Sequence, residues 1–124
     1  MPNALRSAFR LLAALTCAAA VTGTAPAAAA PPQAAALDFG GMVRTYELHI
    51  PAGVTQPSAL VVNLHAAGLT GRDQANLTHY NAIADAHGFA VVYPDGVDLS
   101  WADGRGASVP DRQHVDDVGF ISAL

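Results

Sequence analysis

Between residues 42 and 124 the apolar positions change period several times, and each change marks an element. In Met42 to Ile50, Tyr46, Leu48 and Ile50 alternate with Thr45, Glu47 and His49. That is the period-2 pattern of a strand with one buried face, and Pro51-Ala52-Gly53 ends it. Ala59-Leu60-Val61-Val62-Asn63-Leu64 is a nearly continuous apolar run instead. Its β-branched composition suits a strand buried on both faces of a parallel sheet, so it is the expected central strand. After a loop from Gly68 to Asp73, Leu77, Tyr80, Ile83, Ala84 and His87 recur at helical spacing, with Gly88 placed to close the helix. Phe89-Ala90-Val91-Val92-Tyr93 follows as a second buried strand, stopped by Pro94-Asp95-Gly96.

Strand, helix and strand in that order make a βαβ unit with parallel strands, and the fold class is α/β. Residues 96 to 114 are rich in Gly, Asp, Ser and Arg without a period, which suits a long loop on one rim of the sheet. Asp116 or Asp117 can cap a further helix carrying Val118, Phe120, Ile121 and Leu124, and nothing in its last residues resembles a helix stop. Upstream, Pro31 to Asp38 opens with two prolines and shows little periodicity. It reads as a flexible leader, with folded structure starting near Phe39.

The first residues carry a different pattern. Arg6 and Arg10 precede the apolar stretch Leu11 to Val21, and the Ala-rich segment to Ala30 offers A-x-A cleavage choices. Residues 1 to about 30 therefore read as a signal peptide directing secretion. The apolar run is too short for a stable membrane span, and Pro26, Pro31 and Pro32 interrupt the segment after it. The single cysteine, Cys17, fits a lipoprotein anchor poorly, and its loss with the signal would leave no disulfide. Downstream, four arginines and no lysine face ten acids. That balance excludes a nucleic-acid footprint.

The blocks Arg44-Thr45-Tyr46-Glu47-Leu48-His49-Ile50-Pro51, Leu60 to His65, Gly88 to Gly96, Ser100-Trp101 and Val115 to Ile121 occur in this order. Together they resemble the secreted polyhydroxybutyrate depolymerase and feruloyl esterase family over most of residues 40 to 124. The resemblance implies the N-terminal part of an α/β-hydrolase sheet over residues 39 to 124. It also implies cleavage of carboxylic esters, polyester or esterified plant polysaccharide, by a Ser-His-Asp triad with no cofactor. By the chain order of that fold, the Gly-x-Ser-x-Gly elbow and all three triad members are expected beyond Leu124, and the chain alone is expected to be inactive.

The resemblance implies one mechanistic position inside the chain. The turn after the first buried strand, His65-Ala66-Ala67-Gly68-Leu69, would hold a developing oxyanion with a backbone N–H, and Ala67 and Gly68 are the candidates. The family has Gly where Ala66 stands; if that position needs positive φ, Ala would cost about 1 kcal/mol. His65 is expected to brace the turn. Trp101 reads either as a substrate contact or as a loop anchor packed on the domain.

Other features carry less. Gly106-Ala107-Ser108-Val109-Pro110 mimics the nucleophile motif, but no apolar strand precedes Ser108 and no apolar helix follows. His49, His79, His87 and His114 lack metal-ligand spacing, and the aspartates lack that of a calcium loop, so no metal is expected. Asn76-Leu77-Thr78 is a glycosylation sequon inside the expected helix. A reading of a different class is a secreted, non-catalytic module that grips a polymer through the Trp101 loop. The composition is silent on oligomeric state.

Overall fold

The structure, a computed structural model, describes residues 30–124, so the signal peptide and Cys17 lie outside the described residues. Strands β1 (Gln33–Phe39), β2 (Met42–His49), β3 (Leu60–Val62) and β4 (Ala90–Pro94) form one mixed sheet in the order β1-β2-β4-β3. β2 runs antiparallel to both β1 and β4, whereas β3 and β4 are parallel, with Val61 opposite Val91. Helices α1 (Gly71–Thr78) and α2 (Tyr80–His87) make the crossover between β3 and β4. Short α3 (Val109–Arg112) and α4 (Asp117–Ala123) follow the rim loop. The fold is therefore α/β.

Four expectations change. The leader is not loose: Gln33–Phe39 is a full strand whose Ala35, Leu37 and Phe39 are half-buried. It is returned onto β2 by Gly40-Gly41, both at positive φ (59° and 77°), the backbone that a two-residue hairpin turn requires. Alanine has a weak strand preference, and three of them hid the alternation.

Second, the run from Ala59 to Leu64 is not the central strand. β4 takes that place, with all five residues buried, and β3 lies outermost. Leu60, Val62 and Leu64, which alternate onto one face of this run, are 47%, 37% and 44% exposed, while Val61 on the other face packs against the core.

Third, β2 is covered on both faces instead of one, and its fully buried residues are the polar ones. Arg44, Glu47 and His49 are buried, while Ile50 is 48% exposed. Each buried polar side chain has an oppositely charged or hydrogen-bonding partner on a helix. Glu47 is paired with Arg72 of α1 at 2.6 Å, His49 Nε2 with Asp85 of α2 at 2.7 Å, and Arg44 with Asp117 of α4 at 2.7 Å. Burial of charge is tolerable only with such partners.

Fourth, the single helix is two. His79 stands in the left-handed region (φ 52°, ψ 27°), where it closes α1 and opens α2. The break turns Asn81 and Ala84 inward and leaves Leu77 and Ile83 exposed. Gly88, at φ 73°, closes α2 by donating its N–H to the Ala84 carbonyl at 2.7 Å.

The register places Glu47 beside Tyr93 and His49 beside Val91, on the sheet face that α1 and α2 cover. The core there is Ala75, Ala84, Val91 and Tyr93, with Val61, Tyr80 and Phe89 packed against it. Arg44 belongs to the opposite face, level with Leu37, and Phe120 of α4 meets it there. Helices thus lie on both faces of the sheet.

The Tyr93 hydroxyl donates to Asn81 Oδ1 at 2.7 Å, and the ring is fully buried. Burial pushes its pKa up to about 12. The neutral phenol is thus favoured in the fold, a contribution fully present below the ordinary value of 10.0 and lost as pH rises towards 12. An absorbance titration of tyrosinate should show one phenol ionising near pH 12, together with the loss of folded signal. Ionisation near pH 10 without unfolding would contradict the buried placement.

Candidate functional site

The loops that follow β3 and β4 leave the carboxyl ends of two adjacent parallel strands, where α/β sheets place their ligand sites. The first is the turn His65 to Leu69. The second runs from Asp95 to Trp101 and contains a 3-10 turn, Val97–Leu99. Three hydrogen bonds join them. Gly96 N–H donates to His65 Nε2 at 2.9 Å, the Trp101 indole N–H donates to the His65 carbonyl at 3.0 Å, and Gly68 N–H donates to the Leu99 carbonyl at 2.8 Å.

His65 is the hub. It is 3% exposed and its ring lies 4.9 Å from that of Trp101, centroid to centroid. With Nε2 accepting from Gly96, the ring proton sits on Nδ1, which donates to the Ala66 carbonyl at 2.9 Å. Both nitrogens are engaged within the rim, so the histidine holds two loops together and has no lone pair free to act as a base. Trp101 is occupied in the same way: its indole packs on His65 and its N–H is used, which is the arrangement of a loop anchor.

The two candidate amides differ. Gly68, at φ 85°, has its N–H committed to Leu99, while Leu69 N–H donates to the Ala66 carbonyl at 3.1 Å. The Ala67 N–H has no hydrogen-bond partner among the described residues, and Ala67 is exposed. Of the two candidates Ala67 is thus the free donor, and the neighbouring Ala66 N–H is likewise without a partner among the described residues. Ala66 is not among the residues at positive φ, so the strain considered for a side chain at that position does not arise.

Helix α1 begins directly after the turn. Thr70 caps it reciprocally with Asp73: Asp73 N–H donates to the Thr70 hydroxyl at 3.1 Å and Thr70 N–H to Asp73 Oδ2 at 3.0 Å. The Thr70 hydroxyl donates to the same carboxylate at 2.7 Å and, with the backbone bond, holds Asp73 below the usual carboxylate range. The Thr-x-x-Asp spacing announces this cap, and sequence reasoning passed over it.

Two further carboxylates set the geometry of the rim; from sequence Asp95 read only as part of a strand stop and Asp117 only as an alternative to Asp116 for capping α4, the role that Asp116 takes. Asp95, at the end of β4, accepts from Gly71 N–H at 2.7 Å and from the Thr45 hydroxyl at 2.7 Å, tying the start of α1 to β2 and β4. Asp117 accepts from Arg44 Nη2 at 2.7 Å and from Ala102 N–H at 2.7 Å. Arg44 Nη2 also reaches the Asp95 carbonyl at 3.2 Å, and the guanidinium lies 4.0 Å from the centre of the Phe120 ring. The first and last recognised blocks of sequence therefore meet in one buried ion pair.

Ser108 caps α3. Its Oγ accepts from Asp111 N–H at 3.1 Å and donates to the Trp101 carbonyl at 3.0 Å. No serine hydroxyl is hydrogen-bonded to a histidine among the described residues, and no group of three or more potential metal ligands is assembled there. No helix among them is long and apolar enough to cross a membrane.

No protein-family model matches the chain. Over 84 residues, 68% of its length, it is 31% identical to the bifunctional acetylxylan esterase/xylanase XynS20E of Neocallimastix patriciarum. The chain spans 12% of the length of that enzyme, so the likeness touches a small part of it.

Proposed function

We propose that this chain is the N-terminal part of an exported serine carboxylic-ester hydrolase with the α/β-hydrolase fold. In this reading the nucleophile and its triad partners are carried outside these 124 residues. The observation that carries the proposal is the turn after β3. It stands at the carboxyl rim of a βαβ unit, is braced by His65, and presents the Ala67 N–H without a partner among the described residues. In an ester hydrolase of this fold, a donor from that turn joins one beside the nucleophile to hold the oxygen of the tetrahedral intermediate. Such a donor contributes about 3 kcal/mol to the barrier where it has been removed elsewhere.

The likeness to an acetylxylan esterase/xylanase supports the ester chemistry and favours acyl esters of a plant polysaccharide over polyester as substrate. Ser108 is used up as a helix cap and His65 as a brace, which supports a nucleophile and base elsewhere. The outer edge of β3, unpaired among the described residues, supports a sheet that continues past β3.

The test is a spectrophotometric assay with p-nitrophenyl acetate. The 124-residue chain is expected to be inert, and a longer product with a Gly-x-Ser-x-Gly segment is expected to turn over. Turnover by the short chain that a serine-reactive phosphonate abolishes would refute the placement of the nucleophile.

A further inference from the structure

Asp98 and Leu99 are consecutive non-glycine residues in the left-handed region, at φ 51° and φ 54°. Leucine has no side-chain oxygen with which to stabilise that conformation locally, as aspartate has. Burial does not hold it there either, since Leu99 is 47% exposed. What the conformation achieves is visible one bond away: the Leu99 carbonyl is turned onto the Gly68 N–H at 2.8 Å. Local strain of this kind persists where surrounding bonds over-determine it.

The surrounding bonds are those of the rim. Gly96 N–H and the Trp101 indole fix both ends of the segment to His65. The loop between them is tight: Ser100 N–H donates to the Val97 carbonyl at 3.1 Å, and a Cβ on Gly96 would overlap the Ser100 carbonyl oxygen. Within that span the left-handed pair is the segment that directs a carbonyl towards the turn.

We infer that Leu99 is a positioning residue which, through its left-handed backbone, occupies the Gly68 N–H and so leaves Ala67, of the two candidate amides, as the one open to a ligand. Its side chain is incidental to this role and its φ is not. The inference deepens the ester-hydrolase reading and rests on it for the identity of the ligand, but the clasp itself is a property of the chain alone.

Amide hydrogen exchange of the 124-residue chain, followed residue by residue by NMR, tests it. Gly68 should exchange at least about tenfold more slowly than Ala67, the protection of a made hydrogen bond against an open amide. Leu99→Ile, whose β-branch opposes positive φ, should cut Gly68 protection about tenfold. Leu99→Gly and Leu99→Asn, which accept that backbone, should keep it. A role of the leucine side chain in packing predicts the reverse order, with isoleucine tolerated and glycine not. Gly68 exchanging as fast as Ala67 in the unaltered chain, or losing protection in Leu99→Gly, would overturn the inference. If Leu99→Ile fails to fold, the Gly and Asn variants decide alone. An ester assay of a longer product judges the hydrolase reading separately, so a failed clasp and a failed function give different results.

Discussion

Replacing Arg44 with methionine is expected to remove about 3–5 kcal/mol of stability, read as a fall in the urea midpoint, because it leaves a buried carboxylate without its cation. Asp117 is 4% exposed and would keep only the Ala102 N–H at 2.7 Å. The loss is large for a domain whose net stability is about 5–15 kcal/mol. The loss should not reflect an intrinsically strong pair. Arg44 Nη1 is itself buried without a hydrogen-bond partner among the described residues, so the guanidinium already sits at some cost. Arg44→Met combined with Asp117→Asn should therefore recover at least half of the loss. If the double variant is as unstable as the single one, the stacking of Arg44 on Phe120, and not its charge, is what holds α4 to the sheet.

Gly71→Ala is expected to cost about 2–3 kcal/mol, the range for forcing atoms into a packed interior. The added Cβ would overlap the Tyr93 carbonyl oxygen and lie 2.9 Å from its carbon. Neither can retreat, since β4 is buried between β2 and β3. The start of α1 must lift instead, breaking the 2.7 Å bond from Gly71 N–H to Asp95. Gly104→Ala provides the comparison: nothing lies within 4 Å of its Cβ and only a φ of 81° opposes it. That change should cost nearer ~1 kcal/mol. Equal costs for the two variants, measured by the same denaturation, would show that α1 can settle without its contact to β4.

The parts of this architecture that local composition dictates were legible. Phe89 to Tyr93 could only be a buried strand, Gly88 could only end a helix, and the βαβ order followed from both. What stayed hidden depends on partners distant in sequence. Reading β2 by hydropathy alone gives it one buried face carrying Tyr46, Leu48 and Ile50; instead both faces are covered and the most buried residues are Arg44, Glu47 and His49, because Arg72, Asp85 and Asp117 supply counter-groups on the two sides. His79 breaks a helix with neither glycine nor proline to announce it. At the candidate site, the turn from His65 to Leu69 was reached only through a family resemblance, and the hydrogen bonds of His65 within the rim depend on Gly96 and Trp101, about thirty residues away. The choice between Ala67 and Gly68 was not legible, since it is made by a carbonyl far along the chain, on a leucine whose backbone conformation no local rule favours.

The three polar residues buried along β2 each address a different helix: Arg44 reaches α4, Glu47 reaches α1 and His49 reaches α2. A greasy strand would let any of these helices slide or trade places at little cost. This one works as a key with three wards, since a helix displaced by one turn would face the wrong tooth and strand a charge. Sequences drifting from this one should therefore change the two members of each couple together, and a chimera that exchanges α1 with α2 should fail to assemble even though the apolar content is unchanged.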